Sequence, residues 1–449
     1  MADNPAVRPL SILFTNNTLA ERAGSELWVR DVARALVARR HQPIAFSLVH
    51  GVVAEELRAA TVPVVADLAD VAARPDVIHG HHHLETLVAA LHFPTVPIVH
   101  FCHGWLPWEE RPLKHPSIAR YVAVDETCVE RLTQEEGIPA DRVELVPNFV
   151  DLDRFQPRSL LPRQPRRALV FSNYAAEGGY VAVIREAVRR AGIELTVAGR
   201  SSGRVLDQPE HVLRDYDVVF AKGRAALEAM AVGCSVIVTD VPGAGPLVTA
   251  EDFPYLRSRN FGIRLLQHPH TVDWYAQQLA AYRRDDAKAV QALVRQTAGL
   301  SGTVDRLLDL YQHAIMAPGA RPIAADGHAL AAQRAAARHL CEVLPTLKAA
   351  ANRAQHGARI ESELRTALDL QARLIRQGEQ NQQQAAAADL VSSDLRRQAD
   401  DMDRSLRDSR ELVEAYQKLA VVRLRDALLR APLIGRAVQP VVRAFARMF

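Results

Sequence analysis

The sequence predicts an α/β protein with two tandem Rossmann-like domains, followed by a long α-helical, coiled-coil C-terminal tail. Short apolar runs alternate with helical patterns through the first half of the chain. A basic, proline-rich stretch at 156–167 interrupts this alternation, which then restarts. Beyond about residue 321, Ala, Arg, Gln, Leu and Glu dominate. Because strands that alternate with helices form βαβ units, the first two observations predict two parallel sheets, and the third predicts the tail.

Length and composition exclude several classes of protein. The 449 residues are too many for one ordinary domain and suit roughly two to three. A net charge of +3 is too small to indicate nucleic acid, so we expect no nucleic-acid partner. The four cysteines form no CxxC pair, and the sequence has neither a signal-peptide pattern nor an apolar stretch of about 18 residues. These features predict a cytoplasmic protein.

The first predicted domain spans residues 1–157. Its apolar runs with strand character lie at 10–14, 43–49, 62–65, 77–78, 96–101, 121–124 and 143–146. The second predicted domain spans 165–318, with corresponding runs at 168–172, 194–198, 218–220 and 236–239. Nucleotide ligands bind at the carboxyl ends of such strands, so the cleft between the two sheets is the predicted site.

The tail divides into a helical region at 322–420 and a basic end at 421–449. A seam with alternating four- and three-residue steps predicts a coiled coil, and hence a homo-oligomer, over 395–420. Its members are Leu395, Ala399, Met402, Leu406, Ser409, Val413, Tyr416 and Ala420. The alternative is an amphipathic helix that packs on its own domains. Residues 421–449 carry six arginines against one acid, which favours an anionic membrane surface over docking within the protein or onto another subunit.

Two features of the first domain are candidates for binding. Gly24 lies between a strand and a helix, where the backbone can approach a phosphate at the helix N-terminus, although a simple turn has the same pattern. Histidines cluster after two strands: His79, His81, His82 and His83, then His100 and His103. Their spacing matches no standard ligand motif, so we predict no metal. His103, followed by Gly104 and Trp105, is the predicted substrate-facing residue.

The strongest signal lies in the second domain. The strand ending near Phe220 leads through Lys222 and Gly223 into a helix that begins near Arg224. Lys222 and Arg224 are placed to bind a diphosphate together with the helix N-terminus. Glu228, one turn into an otherwise apolar helix, can accept both hydroxyls of a ribose. The alternative is a surface helix with ordinary charges.

Together these segments resemble the retaining GT-B glycosyltransferases of family 4, from about residue 10 to about residue 315. The family ending VxPNGVDxxxF corresponds to the segment from Val146 to Phe155, and EAMAxGxPVV to the segment from Glu228 to Ile237. The HG-type and HxH-type strand ends correspond to His103 and to His79-Gly80-His81, and the GGxE-like loop to 23–26.

The resemblance implies a nucleoside diphosphate sugar bound mainly to the second domain, an acceptor on the first, and transfer with retention. His103 and Glu228 would be the catalytic residues. Taken together with the charges of the sequence itself, which supply Arg200, Lys222 and Arg224, the predicted donor-binding residues are Gly24, Arg200, Lys222, Gly223, Arg224 and Glu228. His81 and Asn148 would contact the acceptor or the sugar. In this scheme the leaving diphosphate helps to take the acceptor proton, and neither a metal nor another cofactor is required.

Two departures bear on the sugar and the diphosphate. The first member of the family's Glu-x7-Glu pair, which the resemblance implies would contact the donor sugar, falls at Phe220. The basic pair after the first strand of the second domain is missing from 171–179. Lys222, Arg224 and Arg200 are the candidates to supply the diphosphate charge instead.

The predicted function is therefore a glycosyltransferase of surface polysaccharide or glycolipid assembly, acting on a glycan or lipid-linked acceptor at the inner face of the cytoplasmic membrane. One alternative is a degenerate, non-catalytic GT-B module that binds a sugar nucleotide or glycan and acts as a scaffold through its coiled coil. A sugar-nucleotide epimerase of the same fold is the other.

Overall fold

A computed structural model of the chain describes residues 8–317, 327–378, 398, 401–412 and 414–415. These residues form two compact units, divided at Ala324 and Ala325. The first unit contains both predicted Rossmann-like domains, and the second is helical. The basic segment 421–449 and most of the predicted seam at 395–420 lie outside the described residues.

The first domain is built on a seven-stranded parallel sheet. Its strands are β1 Ser11–Thr15, β2 Gln42–Phe46, β3 Val64–Val65, β4 Val77–His81, β5 Ile98–Cys102, β6 Ile118–Ala123 and β7 Val143–Leu145. Its helices are α1 Gly24–Ala38, α2 Val52–Ala59, α3 His83–His92 and α4 Glu126–Glu130. The strand order is β3-β2-β1-β4-β5-β6-β7. The order reverses between β1 and β4, so a crevice opens there at the carboxyl ends of the strands.

The second domain has a five-stranded sheet. Its strands are β8 Arg167–Phe171, β9 Glu194–Ala198, β10 Val218–Ala221, β11 Ser235–Asp240 and β12 Gly243–Leu247. Its helices are α5 Gly179–Arg190, α6 Pro209–Val212, α7 Gly223–Val232, α8 Phe253–Ser258, α9 Val272–Ala280, α10 Arg284–Thr297 and α11 Leu300–Met316. The order is β12-β11-β10-β8-β9, and only β12 is antiparallel to its neighbour. Here the order reverses between β8 and β10. The predicted pair of Rossmann-like domains is confirmed.

Helix α11 lies within the predicted second domain by number but packs on the first sheet. Its side chains Val304, Leu307, Leu310 and Tyr311 join the core formed by α1 and the first sheet. The chain therefore returns to the first domain after completing the second. There α11 packs against β4 and β5. This crossing places Tyr311 beside the histidines of β4.

The helical unit contains α12, Gly327–Gly378, and a helical segment at 401–412. Arg410 in that segment pairs with Glu361 at 3.7 Å, and a side chain at Gly357 would contact Ser409. The predicted seam residues Met402, Leu406 and Ser409 are half-buried, whereas Leu412 is exposed. The described part of the seam thus packs along α12 of the same chain, and the helical character predicted for this region is confirmed. Within the described residues, no helix combines the length and apolarity needed to cross a bilayer.

Candidate functional site

The carboxyl edge of β10 leads directly into α7. Lys222 occupies the N-cap in extended conformation, and no side chain caps the helix there. Gly223, the first helical residue, has a φ of +57°, which a glycine adopts at little cost. The α7 N-terminus therefore leaves backbone N–H groups uncapped by any side chain, as an anion-binding position requires. Lys222 and Gly223 are thus placed as predicted.

Arg224 is not a free cation at this edge. Its Nε donates to Glu228 at 2.8 Å, and its Nη2 pairs with Asp31 on α1 of the first domain. Its guanidinium also lies 5.6 Å from the centre of the Phe149 ring. Asp31 and Glu228 together outweigh burial and raise the pKa of Arg224. Nevertheless, Nη1 of Arg224 is buried with no hydrogen-bond partner, which leaves one donor for a ligand atom.

Glu228 lies one turn into α7 and is 6% exposed. Burial raises the pKa of its carboxyl group, and the adjacent Arg224 opposes that shift. Arg154 approaches from the end of the first domain and pairs with Glu210 at 2.8 Å. The predicted ribose-binding carboxylate is thus deep in the site and held by an arginine of its own helix.

Lys222 pairs with a carboxylate that the sequence analysis missed. Its Nζ lies 2.9 Å from Oδ2 of Asp240, the last residue of β11, and Ser172 Oγ donates to Oδ1 at 2.9 Å. The ring of Tyr174 lies 6.0 Å from the ammonium and is 60% exposed. A signal existed in the sequence, since Asp240 is the one charged residue of β11 and ends that strand at the edge where ligands bind.

The loop after β1 meets the second domain through charge pairs. Arg200 pairs with Glu21, and Arg22 pairs with both Glu56 and Asp207. Gly24 is exposed at the start of α1, with no atom within 4 Å of the position of a Cβ. Arg200, predicted to bind the diphosphate, is engaged here with an acid of the opposite domain.

A row of hydrogen-bonded rings runs from α11 to the cleft. Nδ1 of His79 contacts the Tyr311 hydroxyl at 2.5 Å, and Nε2 of His79 contacts Nε2 of His81 at 2.8 Å. The same nitrogen of His81 lies 3.1 Å from Nε2 of His103. Trp28 on α1 packs against all three histidines. We call Tyr311, His79, His81 and His103 the histidine row.

The rings of the histidine row are neutral at physiological pH. Burial lowers the pKa of His79 and of His81 well below the usual range, and lowers that of His103 to about 4. Each N···N contact needs one protonated and one bare nitrogen, which neutral rings supply and two imidazolium rings do not. His81 and His103, predicted as ligand contacts, are therefore brought together, with His103 at the half-buried end.

His82 and His100 have other partners. His82 has a φ of 61° and lies 3.5 Å from Glu110, which also accepts a 2.7 Å hydrogen bond from the His103 backbone N–H. The pair with Glu110 outweighs burial and raises the pKa of His82, whereas His82 lowers the pKa of Glu110 to about 2. Burial lowers the pKa of His100 to about 3. Among the described residues, no group of three or more His, Cys, Asp or Glu side chains has a metal-binding arrangement.

The junction of the domains carries Asn148 and Phe149. The carbonyl oxygen of Asn148 accepts a hydrogen bond from Arg257, while its side chain is half-buried. The ring of Phe149 contacts Trp28 at 5.5 Å between centroids and also Arg224. Phe149 thereby links the histidine row to the N-terminus of α7.

Phe220 is fully buried within β10 and packs at a ring distance of 5.6 Å from Tyr275. Because β10 continues to Ala221, a single residue, Lys222, joins the strand to the helix. The position of the family's first glutamate is thus part of the core of this domain, which explains why an apolar residue occupies it.

The comparisons with known proteins agree with this geometry. Residues 22–154 match the model of Glycosyltransferase Family 4, which confirms the resemblance indicated by the motifs. A glycosyltransferase from Rickettsia africae is 14% identical, with a TM-score of 0.51 over 69% of this chain and 100% of its own. HepE from Anabaena, solved in complex with UDP and glucose, is 13% identical, with a TM-score of 0.50 over 68% of this chain and 99% of its own. No curated protein sequence matches the chain. The likeness to these structures establishes the GT-B fold.

Proposed function

We propose that the chain transfers a sugar from a nucleoside diphosphate sugar to a glycan or lipid-linked acceptor. The observation that carries this proposal is that Phe149 connects two groups of candidate residues, since its ring contacts both Arg224 and Trp28. One group is the α7 N-terminus with Lys222 and Glu228 in the second domain, and the other is the histidine row in the first. The diphosphate would lie at the helix N-terminus, the ribose on Glu228, and the sugar between Lys222 and His103.

The chemistry follows from this placement. The α7 dipole, Lys222 and the unpartnered Nη1 of Arg224 would stabilise the negative charge that develops on the leaving diphosphate. A neutral His103 can donate or accept a hydrogen bond at the sugar without adding charge. Holding the acceptor hydroxyl on the same face of the sugar as the leaving diphosphate, which takes its proton, supplies the remaining part of catalysis. The family resemblance supports transfer with retention of configuration at the anomeric carbon. It also supports a reaction that requires no metal.

Thermal unfolding in the presence of nucleotides tests this proposal. The panel contains UDP, GDP and ADP with their glucose or mannose conjugates, because a ligand that binds only the folded state raises its stability. We expect one nucleotide series to raise the melting temperature, and Glu228→Gln to abolish the effect. Glu186→Gln, which removes an acid of α5 that pairs with Arg189 and Arg190 of the same helix, is the control. Transfer is then measured with the stabilising donor.

A second candidate function is a non-catalytic sugar-nucleotide or glycan-binding scaffold. Two observations favour it: the buried Phe220 in place of a sugar-binding acid, and the pairing of Arg200, Lys222 and Arg224 with carboxylates. Nucleotide stabilisation without transfer or donor hydrolysis would favour this scaffold. Absence of stabilisation by every nucleotide would contradict the transferase and the nucleotide-binding scaffold, and would favour a glycan-binding scaffold.

The setting of the reaction is a further part of the proposal. We place it in surface polysaccharide or glycolipid assembly at the cytoplasmic face of a membrane, because the segment 421–449 combines six arginines with apolar residues.

A further inference from the structure

Asp240 is a buried carboxylate at the ligand-binding edge of the second sheet. Its side chain is 2% exposed, and it accepts hydrogen bonds from Ser172 after β8 and from Lys222 after β10. These two connections flank the point at which the strand order reverses, which is where open α/β sheets bind ligands. A buried carboxylate requires hydrogen-bonding partners. One of the two partners of Asp240 is the flexible side chain of Lys222.

A second buried acid shows what a purely structural carboxylate looks like in this domain. Asp217, at the opposite edge of the same sheet, accepts hydrogen bonds from the backbone N–H groups of Arg166 and Arg167 and from Arg158. Backbone donors there are fixed, and the side chain of Arg158 is 11% exposed. Lys222, in contrast, is 33% exposed and is the N-cap of α7.

The position of Lys222 gives its ammonium two alternative partners. It lies one residue before Gly223, so an anion bound at the α7 N-terminus would be within reach of the same flexible side chain. Movement of Nζ toward that anion would leave Oδ2 of Asp240 without its donor. A carboxylate accepts hydrogen bonds with both oxygens, so the hydroxyls of a sugar are suitable replacements.

Phe220 leaves the position of the family's first glutamate without a carboxylate. Phe220 is enclosed in β10, whereas Asp240 ends the neighbouring strand β11 at the same edge. Resting on the proposed function, we propose that Asp240 binds hydroxyl groups of the transferred sugar. Lys222 covers this carboxylate until the donor diphosphate draws the ammonium away. The sugar-binding acid has thus moved from β10 to β11.

Titration calorimetry on the full-length protein tests this assignment. Three pairs of ligands are compared: UDP with UDP-glucose, GDP with GDP-mannose, and ADP with ADP-glucose. The measured quantity is the ratio of the two dissociation constants within each pair. Asp240→Asn should weaken binding of the sugar nucleotide at least about tenfold and change binding of the free diphosphate less than about threefold. Lys222→Gln should weaken both ligands by similar factors.

Two further variants separate a sugar contact from a loss of folding. Asp217→Asn removes the matched buried acid and should lower the melting temperature while leaving the ratio unchanged. Ser172→Ala removes one fixed partner of Asp240 and should shift the ratio in the same direction as Asp240→Asn. If Asp240→Asn weakened both ligands equally, or weakened neither, the sugar-binding role of Asp240 would be overturned while the proposed function would stand. A wild-type protein that binds none of the six ligands would overturn the proposed function and this inference together.

Discussion

Asp31, on the first helix of the first domain, forms an ion pair with Arg224, on the helix that begins the candidate donor site of the second. Both side chains are nearly inaccessible, with exposures of 5% and 12%. Arg224 and the adjacent Arg30 outweigh burial and lower the pKa of Asp31. The same arginine that contacts Glu228 therefore connects the two domains, so the domain contact and the candidate donor site share one side chain.

We expect Asp31→Asn to lower the free energy of unfolding by about 3 kcal/mol, because removing one partner leaves a buried charge incompletely paired. Urea denaturation measures this loss. Asp305→Asn is the control, since Asp305 is a 69% exposed partner of Arg39 and such pairs contribute less than about 1 kcal/mol. Equal stability losses for the two variants would contradict a buried connection between the domains.

Acid should destabilise the first domain before its carboxylates titrate. The folded protein holds His79, His81, His100 and His103 neutral, since burial lowers their pKa values, whereas the unfolded chain protonates them below about pH 6.5. The unfolded state then binds more protons, so stability falls as pH falls. His82 opposes this trend in part, because Glu110 raises its pKa in the folded state.

His100→Leu isolates one of these contributions. Removing a single buried histidine should flatten the decline of unfolding free energy between pH 5.5 and 4.5 by about 1.4 kcal/mol per pH unit. The measurement is urea denaturation at several pH values, with the exposed His313→Gln as control. A slope identical to that of the wild type in His100→Leu would show that His100 is not held neutral.

The histidine row should act on catalysis through its last member. If His103 contacts the donor sugar, His81→Asn removes the ring that fixes its Nε2 and should lower kcat at least about tenfold. KM for the donor should change less than about threefold, because His81 is fully buried and, contrary to the sequence-based prediction, cannot contact the sugar directly. Tyr311→Phe, at the far end of the row, should have a smaller effect in the same direction.

His83→Asn is the matched control for the row. His83 follows in sequence but contacts the Glu109 carbonyl at 3.0 Å and not the row. If His81→Asn and His83→Asn reduced kcat equally, or if KM rose as much as kcat fell, the row would have no positioning role.

How far the sequence predicts this protein depends on whether a feature is local. The parallel strands, the α7 N-terminus and Glu228 were predictable because hydrophobic alternation and motif order lie within short segments. The antiparallel strand β12, Gly243–Leu247, was not predicted. The pairing of Arg224 with Asp31 joins residues 193 positions apart, and no periodicity encodes it. Tyr311 is 232 positions from His79, so its entry into the histidine row depends on the return of α11 to the first sheet.

The oligomeric state remains a prediction from the seam at 395–420. In the described part of that seam, Ser409 and Arg410 contact α12 of the same chain, which offers the seam an intramolecular partner. We expect deletion of 395–420 to lower the solution mass by a whole-number factor if the seam also joins chains. Light scattering measures that mass, and a monomer before and after deletion would contradict the predicted homo-oligomer.

Membrane attachment is predicted to depend on charge in the segment 421–449. Its arginines should bind anionic vesicles, and its apolar residues should insert at the interface, so the intact protein should sediment with phosphatidylglycerol vesicles and not with phosphatidylcholine vesicles. Replacing Arg436, Arg443 and Arg447 by Gln should reduce that binding, and raising the salt concentration should have the same effect. Melting temperatures with and without nucleotide provide the control, since the donor site lies in the other unit. Vesicle binding that survives both the substitutions and deletion of 421–449 would place membrane attachment elsewhere in the chain.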